Sequence, residues 1–404
     1  MLSVTEARER ILSHLTSVEA EIIPLTNCAS RVLAVDIIAP HDIPPFDNSA
    51  MDGFAIHAED TSASSVTLHV VTDIPAGSTP AVTLARGEAA RIMTGAQIPK
   101  GANAVIPVED TDFDYKTAGT SAPKTISFSK IMKAGENIRP RGMDIRADEI
   151  VLQRGHTLKP QDLGLLATLG LANVTIYKKP RVALLSSGDE LLGVDAPLEA
   201  GKIRDSNSYT LAAAIEGAGA EAVRLGVAKD SREAVTALLD QAAAENADLI
   251  LSSAGVSVGA FDFIKEVVET NGGMDFWRVN MRPGKPLAFG NYRGIHFIGL
   301  PGNPVSAFVG FEIFVRPVLE RMSGRMDGCR QTVRVRCGEQ IESDGRESYL
   351  RAKIREENGV LSARLTGHQG SGNLLSLVQA DALLIIPAGV KCVPAGQEVD
   401  AILL

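Results

Sequence analysis

The chain has 404 residues, of which 45% are hydrophobic and 22% charged, and its formal net charge is −9. This length predicts about two to four domains of ordinary globular composition, and the negative charge argues against broad nucleic-acid binding. No apolar run reaches the roughly 18 residues of a membrane span, and the four scattered cysteines, without a CxxC pair, favour a reducing, cytoplasmic compartment.

Short helices and turn-rich segments alternate over the first 178 residues. Apolar spacing predicts a helix over Val4–Val18, where a signal peptide would need an uninterrupted apolar run. A second helix is predicted at Pro160–Gly170, after a proline. The change in texture predicts a discontinuous N-terminal domain from residues 1–40 and 142–178, and a turn-rich β domain from residues 41–141.

Residues 179–328 alternate short buried-strand runs with helices, a pattern that predicts a parallel sheet covered on both faces. The predicted strands are Val182–Leu185, Ala222–Val227, Leu249–Leu251 and Ile295–Ile298. The predicted helices are Ser208–Glu216, Arg232–Ala244, Phe263–Glu269 and Val305–Met322. Residues 329–404 return to a β pattern, in which Asn358-Gly359 predicts a hairpin between Tyr349–Arg355 and Val360–Leu365.

Polar residues follow two of the predicted parallel strands, where such sheets bind ligands. The small residues and hydroxyls of Ser252–Gly259 suit an anion site or a plain tight turn equally well. Asp262 suits the first turn of a helix, where it complements the dipole, or a Mg²⁺ ion beside a phosphate group. Glu190 suits a hard cation, acid–base chemistry or a solvated helix start.

Two loops rich in proline and glycine follow. The Arg282–Pro286 loop holds two cations in a stiff turn, and Asn303 and Pro304 suit the N-cap and first position of the last helix. Each loop is explained equally well as a structural turn. Ser206 or Asn207 is predicted to cap an earlier helix.

Taken together, these segments resemble the molybdopterin molybdenumtransferase family, which includes the bacterial MoeA proteins and the gephyrin E domain. The matching stretches run in order over essentially the whole chain: PPFDNSAMDGFA (44–55), RIMTGAQIPKGANAVIPVE (91–109), GENIRPRGMDI (135–145), SSGDEL (186–191), IRDSN (203–207), SAGVSVGAFDF (253–263), RPGKP (282–286), GLPGNPVSA (299–307) and GHQGSGNL (367–374).

The resemblance implies a multidomain α/β plus β fold with four domains. Residues 179–328 would form a three-layer parallel-sheet molybdopterin-binding domain and residues 329–404 a C-terminal β-barrel-like domain, beside the turn-rich β domain and a mixed α+β N-terminal domain. It also implies a homodimer in which the turn-rich domain of one subunit completes the partner's site. Neither nucleic acid nor a membrane is expected as a partner.

The activity implied by the resemblance is molybdenum insertion into adenylylated molybdopterin. Molybdate would supply the metal, and AMP would be released with the help of Mg²⁺ or another divalent cation. Contact with the adenylyltransferase and with downstream cofactor-processing proteins is also implied. Two alternatives are molybdopterin adenylyl transfer, which a single related domain can perform, and a gephyrin-like scaffold or binding role. The retained Asp52, Glu190 and Asp262 favour catalysis over the scaffold.

Site residues are transferred from the family motif by motif. The catalytic candidates are Asp52, Thr94, Glu190, Asp230 and Asp262, of which Glu190 and Asp262 would hold the metal. The substrate-binding candidates are Ser253, Gly255, Ser257, Gly259, Arg278, Arg282, Lys285, Pro301 and Pro304. Many members have glycine where this chain has Ala254, which is suitable unless a positive φ is required there. Some members have lysine where Arg278 and Arg282 stand, and arginine keeps the charge.

Overall fold

The computed structural model describes residues 1–114, 121–254, 263–326, 330–357 and 359–404. The chain forms two compact units. The first unit comprises residues 1–35, 154–167 and 171–404, and the second comprises residues 36–153 and 168–170. Within the described ranges, no helix has both the length and the apolar character needed to cross a membrane.

A six-stranded sheet forms the centre of the first unit. In spatial order its strands are Glu221–Ala228, Arg181–Ser187, Leu249–Ser253, Ile295–Leu300, Pro286–Tyr292 and Met274–Arg278. The first four are parallel, which confirms the predicted sheet. The last two join the sheet through antiparallel pairings, and the sequence did not predict them.

Helices cover both faces of this central sheet, because its buried strands are apolar on both sides. They are Asn207–Gly217, Arg232–Ala244, Phe263–Asn271 and a last helix over Pro304–Met322, which contains a π-helical turn at Phe311–Val315. Leu184 and Leu251 face one core, together with the N-terminal helix. Leu185 and Ile250 face the other core, beneath the helices Arg232–Ala244 and Phe263–Asn271.

The N-terminal helix spans Val4–Ser13 and is therefore shorter than predicted. Ser3 and Glu6 form a capping box at its start. The chain then leaves the helix, and the Val18 N–H donates to the Met322 carbonyl at 2.8 Å. Beyond it lie an antiparallel pair, Ala20–Pro24 with Asn173–Tyr177, and the helix Pro160–Thr168.

One edge of the central sheet is irregular. Within the described ranges, strand Glu221–Ala228 pairs with a single neighbour, and its register slips so that Leu184 faces Arg224 while Leu185 faces Gly226. Gly226 has a φ of +101°, in the region that favours glycine. The extra residue makes a β-bulge in the edge strand.

The C-terminal segment forms a closed five-stranded barrel. Its strands are Thr332–Cys337, Glu347–Glu357, Val360–Leu365, Ala382–Ile386 and Glu398–Leu403. The short strand Met281–Arg282 pairs in parallel with the start of Glu347–Glu357, which ties the Arg282 loop to the barrel. A pair of short strands, Ile341–Glu342 with Cys392–Val393, and the helix Leu374–Val378 complete this segment.

A five-stranded sheet forms the second unit. In spatial order its strands are Ala104–Pro107, Gly53–Ile56, Glu88–Ile92, Val66–Ile74 and Thr125–Phe128. Two short antiparallel pairs, Asn48–Ser49 with Ile138–Arg139 and Ile37–Ile38 with Ile150–Leu152, lie outside this sheet.

A buried ion cluster anchors the last helix. The Glu312 carboxylate, in the π-helical turn, accepts hydrogen bonds from Arg316 at 2.6 and 2.8 Å and from Arg330 at 3.0 and 3.2 Å. Burial alone would raise the pKa of Glu312, but the bonds from the two guanidinium groups outweigh it and lower that pKa. Because Arg330 directly precedes the C-terminal barrel, the cluster joins the last helix to the barrel.

Candidate active site

A cavity of about 430 Å³ opens beyond the carboxyl ends of three parallel strands. The loops that follow Arg181–Ser187, Leu249–Ser253 and Ile295–Leu300 form its walls, in the place where parallel sheets bind ligands. Four predicted site residues line it: Glu190, Ser253, Pro301 and Pro304. The predicted residues Gly255, Ser257, Gly259 and Asp262 lie outside the described residues.

Glu190 brings a carboxylate to this cavity. Its backbone carbonyl accepts from the Ile203 N–H at 2.8 Å, and its carboxylate lies so close to Gly188 that a Cβ there would be 2.5 Å from Oε2. No cation pairs with this carboxylate in the part of the chain that the structure describes. A carboxylate oxygen without a cationic partner, facing a cavity, is a suitable ligand for a hard divalent cation.

The Glu190 carboxylate is compatible with Mg²⁺, which needs few protein ligands. No cluster of three or more His, Cys, Asp or Glu side chains suitable for a metal occurs among the described residues. Mg²⁺ usually takes one or two carboxylates and completes its shell with water and substrate phosphates. Glu190 can therefore supply one of the carboxylate ligands of such an ion.

Asp230 supports the loop that carries Glu190. The Asp189 N–H donates to the Asp230 carboxylate at 3.4 Å, and the Asp230 N–H donates to the Asp189 carboxylate at 3.3 Å. This reciprocal pair joins the loop after Arg181–Ser187 to the loop after Glu221–Ala228. In this arrangement Asp230 braces the loop through Asp189.

Asn207 has a role in the site that the sequence did not indicate. Its side-chain amide donates to the Ser253 hydroxyl and to the Gly302 carbonyl, both at 2.7 Å, and so joins two cavity loops. Ser206 is the N-cap residue of the helix Asn207–Gly217, as the sequence predicted, but its side chain makes no capping hydrogen bond among the described residues. The Asp205 carboxylate accepts the Ser208 N–H at 3.1 Å instead.

Ala254 adopts a φ of +80°, a left-handed conformation that favours glycine. The positive φ that would make alanine unsuitable is therefore present. A Cβ on the facing residue, Gly302, would lie 3.3 Å from the Ala254 Cβ, so the methyl group fits because Gly302 has no side chain. This backbone conformation costs an L-residue about 1–2 kcal/mol.

We expect Ala254→Gly to raise the free energy of unfolding by about 0.5–1 kcal/mol, because relief of the left-handed strain exceeds the added entropy of the unfolded chain. Chemical denaturation measures the change. Ala243→Gly, in the helix Arg232–Ala244, is the control and should lower the free energy of unfolding by about 1 kcal/mol. A loss of stability at both positions would contradict the strain at Ala254.

Three cations that the sequence predicts for the site lie at or close to the adjacent ends of the strands Met274–Arg278 and Pro286–Tyr292. Arg278 ends the strand Met274–Arg278, and Arg282 and Lys285 flank the turn before Pro286, which lines the cavity. None of the three has an ion-pair partner among the described residues. Cations without acidic partners beside a cavity create a positive potential that attracts oxyanions.

Arg351 is a further cation that the sequence analysis missed. Its side chain is fully buried, and it donates to the Ser376 hydroxyl at 3.1 Å and to the Gly370 carbonyl at 3.0 Å. Its Nη1 has no hydrogen-bond partner among the residues that the structure describes. Burial, and then the positive charge of Arg282, lower the pKa of Arg351 to about 10. A buried guanidinium with a spare donor beside a second cation suits an anionic ligand.

In the second unit, Asp52 and Thr94 are in direct contact. The Thr94 N–H and hydroxyl donate to one Asp52 carboxylate oxygen at 2.6 and 2.7 Å. These two bonds lower the pKa of Asp52, since they favour its ionised form. The two residues therefore form one acidic group held in a fixed orientation.

Three family models match the chain. They are the "MoeA N-terminal region (domain I and II)" over residues 2–170, the "probable molybdopterin binding domain" over residues 183–321 and the "MoeA C-terminal region (domain IV)" over residues 334–404. Molybdopterin molybdenumtransferase 2 of Mycobacterium tuberculosis (strain ATCC 25618 / H37Rv) is 38% identical over 411 residues, which cover 99% of each chain. Molybdopterin molybdenumtransferase of Haemophilus influenzae is 36% identical and covers 99% of this chain and 98% of its own.

A solved structure shows the same fold. The molybdopterin biosynthesis MoeA protein from Pyrococcus horikoshii has a TM-score of 0.85 and 32% identity, and the match covers 100% of this chain and 99% of that chain. The predicted multidomain α/β plus β fold is thereby confirmed.

Proposed function

The chain belongs to the MoeA family of molybdopterin molybdenumtransferases, which insert molybdenum into molybdopterin, and we propose that it uses adenylylated molybdopterin and molybdate and releases AMP. The observation that carries this proposal is the cavity itself. It brings the Glu190 carboxylate to the carboxyl ends of the parallel strands, beside a loop whose cations form no ion pair with any described residue. Such a site could bind a phosphoanhydride together with the divalent cation that neutralises its charge.

Glu190 and Asp262 would hold the divalent cation, which we take to be Mg²⁺. When bound, Mg²⁺ would neutralise charge on the phosphoanhydride and make it easier to cleave. Glu190 contributes its carboxylate from a loop that the Asp189–Asp230 pair braces. Asn207 holds the Ser253 loop against the Gly302 loop, so that the opposite cavity wall keeps its position.

The cations would bind the oxyanions. The positive charge of Arg282 lowers the pKa of Arg351, and neither side chain forms an ion pair among the described residues, although Arg282 lies near enough to Asp344 to lower the pKa of that carboxyl group. The Arg282 guanidinium can present a fork of donors, and Arg351 its spare Nη1, to a tetrahedral oxyanion such as molybdate or phosphate. Arg278, at the end of the strand Met274–Arg278, and Lys285, directly before the strand Pro286–Tyr292, add further positive charge.

We expect Arg282→Ala to lower kcat/KM for molybdate about tenfold or more, because it removes a charge-assisted contact with an anion. Arg282→Lys should lose less, since it keeps the charge but not the fork. Steady-state AMP release at varied molybdate measures both variants. Arg293→Ala, at an exposed arginine paired with Asp240, is the control and should behave as the wild type. Equal losses of kcat/KM for Arg282→Ala and Arg282→Lys would mean that the guanidinium only packs against its neighbours and does not bind the anion.

We further propose that two chains pair as a homodimer and that Asp52 and Thr94 act in the partner's site. The support is the family resemblance, together with the rigid geometry of the Asp52–Thr94 contact. Light scattering tests the pairing. We place the reaction in the cytoplasm and expect contacts with the adenylyltransferase that supplies the substrate and with proteins that process the product.

The decisive experiment supplies the purified chain with adenylylated molybdopterin, molybdate and Mg²⁺ and measures AMP. Release that requires both molybdate and Mg²⁺ supports the proposal. Pyrophosphate formation from ATP and molybdopterin would indicate adenylyl transfer instead, and inactivity in both assays would favour a binding role. Full-length similarity to molybdenumtransferases, with matched regions on both sides of the molybdopterin-binding domain, favours the first outcome.

A further inference from the structure

A concentration of positive charge lies on the outer face of the C-terminal barrel. Lys353 and Arg355 lie on the strand Glu347–Glu357, and Arg364 lies on the neighbouring strand Val360–Leu365. These three exposed side chains border a cavity of about 570 Å³, here called the cationic pocket. It shares no lining residue with the candidate active site.

The strand register places these like charges together. Lys353 is directly opposite Arg364, and Arg355 is opposite Ser362, in an antiparallel pair. Side chains alternate between the two faces of a strand, so all three cations project from the face opposite to the barrel core. Like charges directly opposite each other destabilise a sheet. Folding alone therefore does not account for this arrangement.

The acidic residues of the barrel do not compensate these charges. Arg334 pairs with Glu398 and Asp400, and Arg336 pairs with Glu398. By contrast, none of the three pocket cations has an ion-pair partner in the described part of the chain. The nearby Glu339 carboxylate accepts the Leu365 N–H at 2.8 Å. The pocket thus keeps positive charge on a chain whose net charge is −9.

The backbone beneath the pocket is shaped around Arg364. A Cβ at Gly338 would lie 2.9 Å from the Arg364 Cγ and 3.2 Å from its Nε. The Gly338 N–H donates to the Ala363 carbonyl at 2.8 Å, which fixes this segment against the strand. Arg364 therefore lies across a glycine, and a side chain at that position would displace it.

We propose that the cationic pocket binds the phosphate chain of a small phosphorylated compound. Two guanidinium groups and one ammonium group match several phosphate oxygens, and arginine forks bind them in pairs. The volume falls within the roughly 300–1,000 Å³ of small-molecule sites, which favours a compact ligand over an extended acidic chain. This proposal is independent of the proposed function, because it uses none of the active-site residues.

Calorimetric titration of tripolyphosphate into the full chain, in buffer without Mg²⁺, tests the proposal. The double variant Lys353→Gln/Arg364→Gln should bind at least about tenfold more weakly, because two charge-assisted contacts are lost. The matched control Arg334→Gln/Arg336→Gln removes two arginines of the same barrel that are already paired, and its affinity should change less than about twofold. Arg282→Ala, in the candidate active site, should retain the pocket's binding.

Several results would overturn the proposal. Equal losses in both double variants would indicate diffuse attraction, and a loss confined to Arg282→Ala would place the binding in the active site. Absence of binding, or tighter binding of a polyglutamate peptide than of tripolyphosphate, would also contradict it. The melting temperature of Lys353→Gln/Arg364→Gln should stay equal or rise, since a like-charge contact is removed. A clear fall would assign the cations a structural role.

Discussion

Glu312→Ala is expected to lower the free energy of unfolding by about 3–5 kcal/mol at neutral pH. The carboxylate is buried and accepts four hydrogen bonds from Arg316 and Arg330. Its removal leaves the almost fully buried Arg316 guanidinium without its main partner, which is the costly way to break a buried ion pair. Chemical denaturation of the wild type and the variant measures the difference.

The matched control is Glu398→Ala. Glu398 also lies between two arginines, Arg334 and Arg336, but its side chain is half exposed, and its loss should cost no more than about 1 kcal/mol. Similar losses at the two glutamates would show that burial does not set the energy of the Glu312 cluster.

The Glu312 contribution should also depend on pH. Because the folded state lowers the pKa of Glu312 below its ordinary value of 4.5, the stabilisation is complete above that value. It is lost as the pH falls through the lower pKa of the folded state. The difference between wild type and Glu312→Ala should therefore shrink at strongly acidic pH, and a difference that grows there would contradict this sign.

Glu190→Gln is expected to slow AMP release about 100-fold, equivalent to about 3 kcal/mol of transition-state stabilisation. The substitution keeps the size of the side chain but removes a negative oxygen ligand from the cavity. The Mg²⁺ concentration required for half-maximal rate should rise as well. Rates at a series of Mg²⁺ concentrations measure both effects.

Glu199→Gln is the control for this experiment. Glu199 is an exposed acidic residue a few positions further along the chain, and it does not line the cavity. Its replacement should leave the rate and the Mg²⁺ requirement unchanged. If Glu190→Gln kept the wild-type turnover at limiting Mg²⁺, Glu190 would not be a ligand of the metal.

Local sequence patterns identify the central sheet where strands are buried on both faces. The three central parallel strands are short and mainly apolar runs, whereas the edge strand Glu221–Ala228 also carries Glu221 and Arg224. Arg232–Ala244 forms a helix with the predicted bounds. The hairpin from Pro286–Tyr292 to Ile295–Leu300 was missed because its turn is Arg293-Gly294. Arg293 adopts a φ of +49° without the Asn or Asp that usually signals such a turn.

The candidate site is predictable where it depends on loop position and unpredictable where it depends on long-range contacts. Glu190 and Ser253 were found because they follow strands of the parallel sheet. Arg351 was missed, since its burial depends on segments some 17 to 25 residues away that hold His368, Gly370 and Ser376. Asn207 was assigned to a helix cap because its residue type cannot show which distant loops its amide joins.

The bulged edge strand affects the tendency of this protein to aggregate at high concentration. An exposed strand edge offers unpaired N–H and C=O groups to any other chain, and so invites strand addition and aggregation. Glu221–Ala228 counters this with Glu221, Arg224 and the kink at Gly226, whereas the described strands of the C-terminal barrel pair in a closed ring. Straightening the kink would therefore favour self-association, and it would also shift the Asp230 loop that braces Glu190.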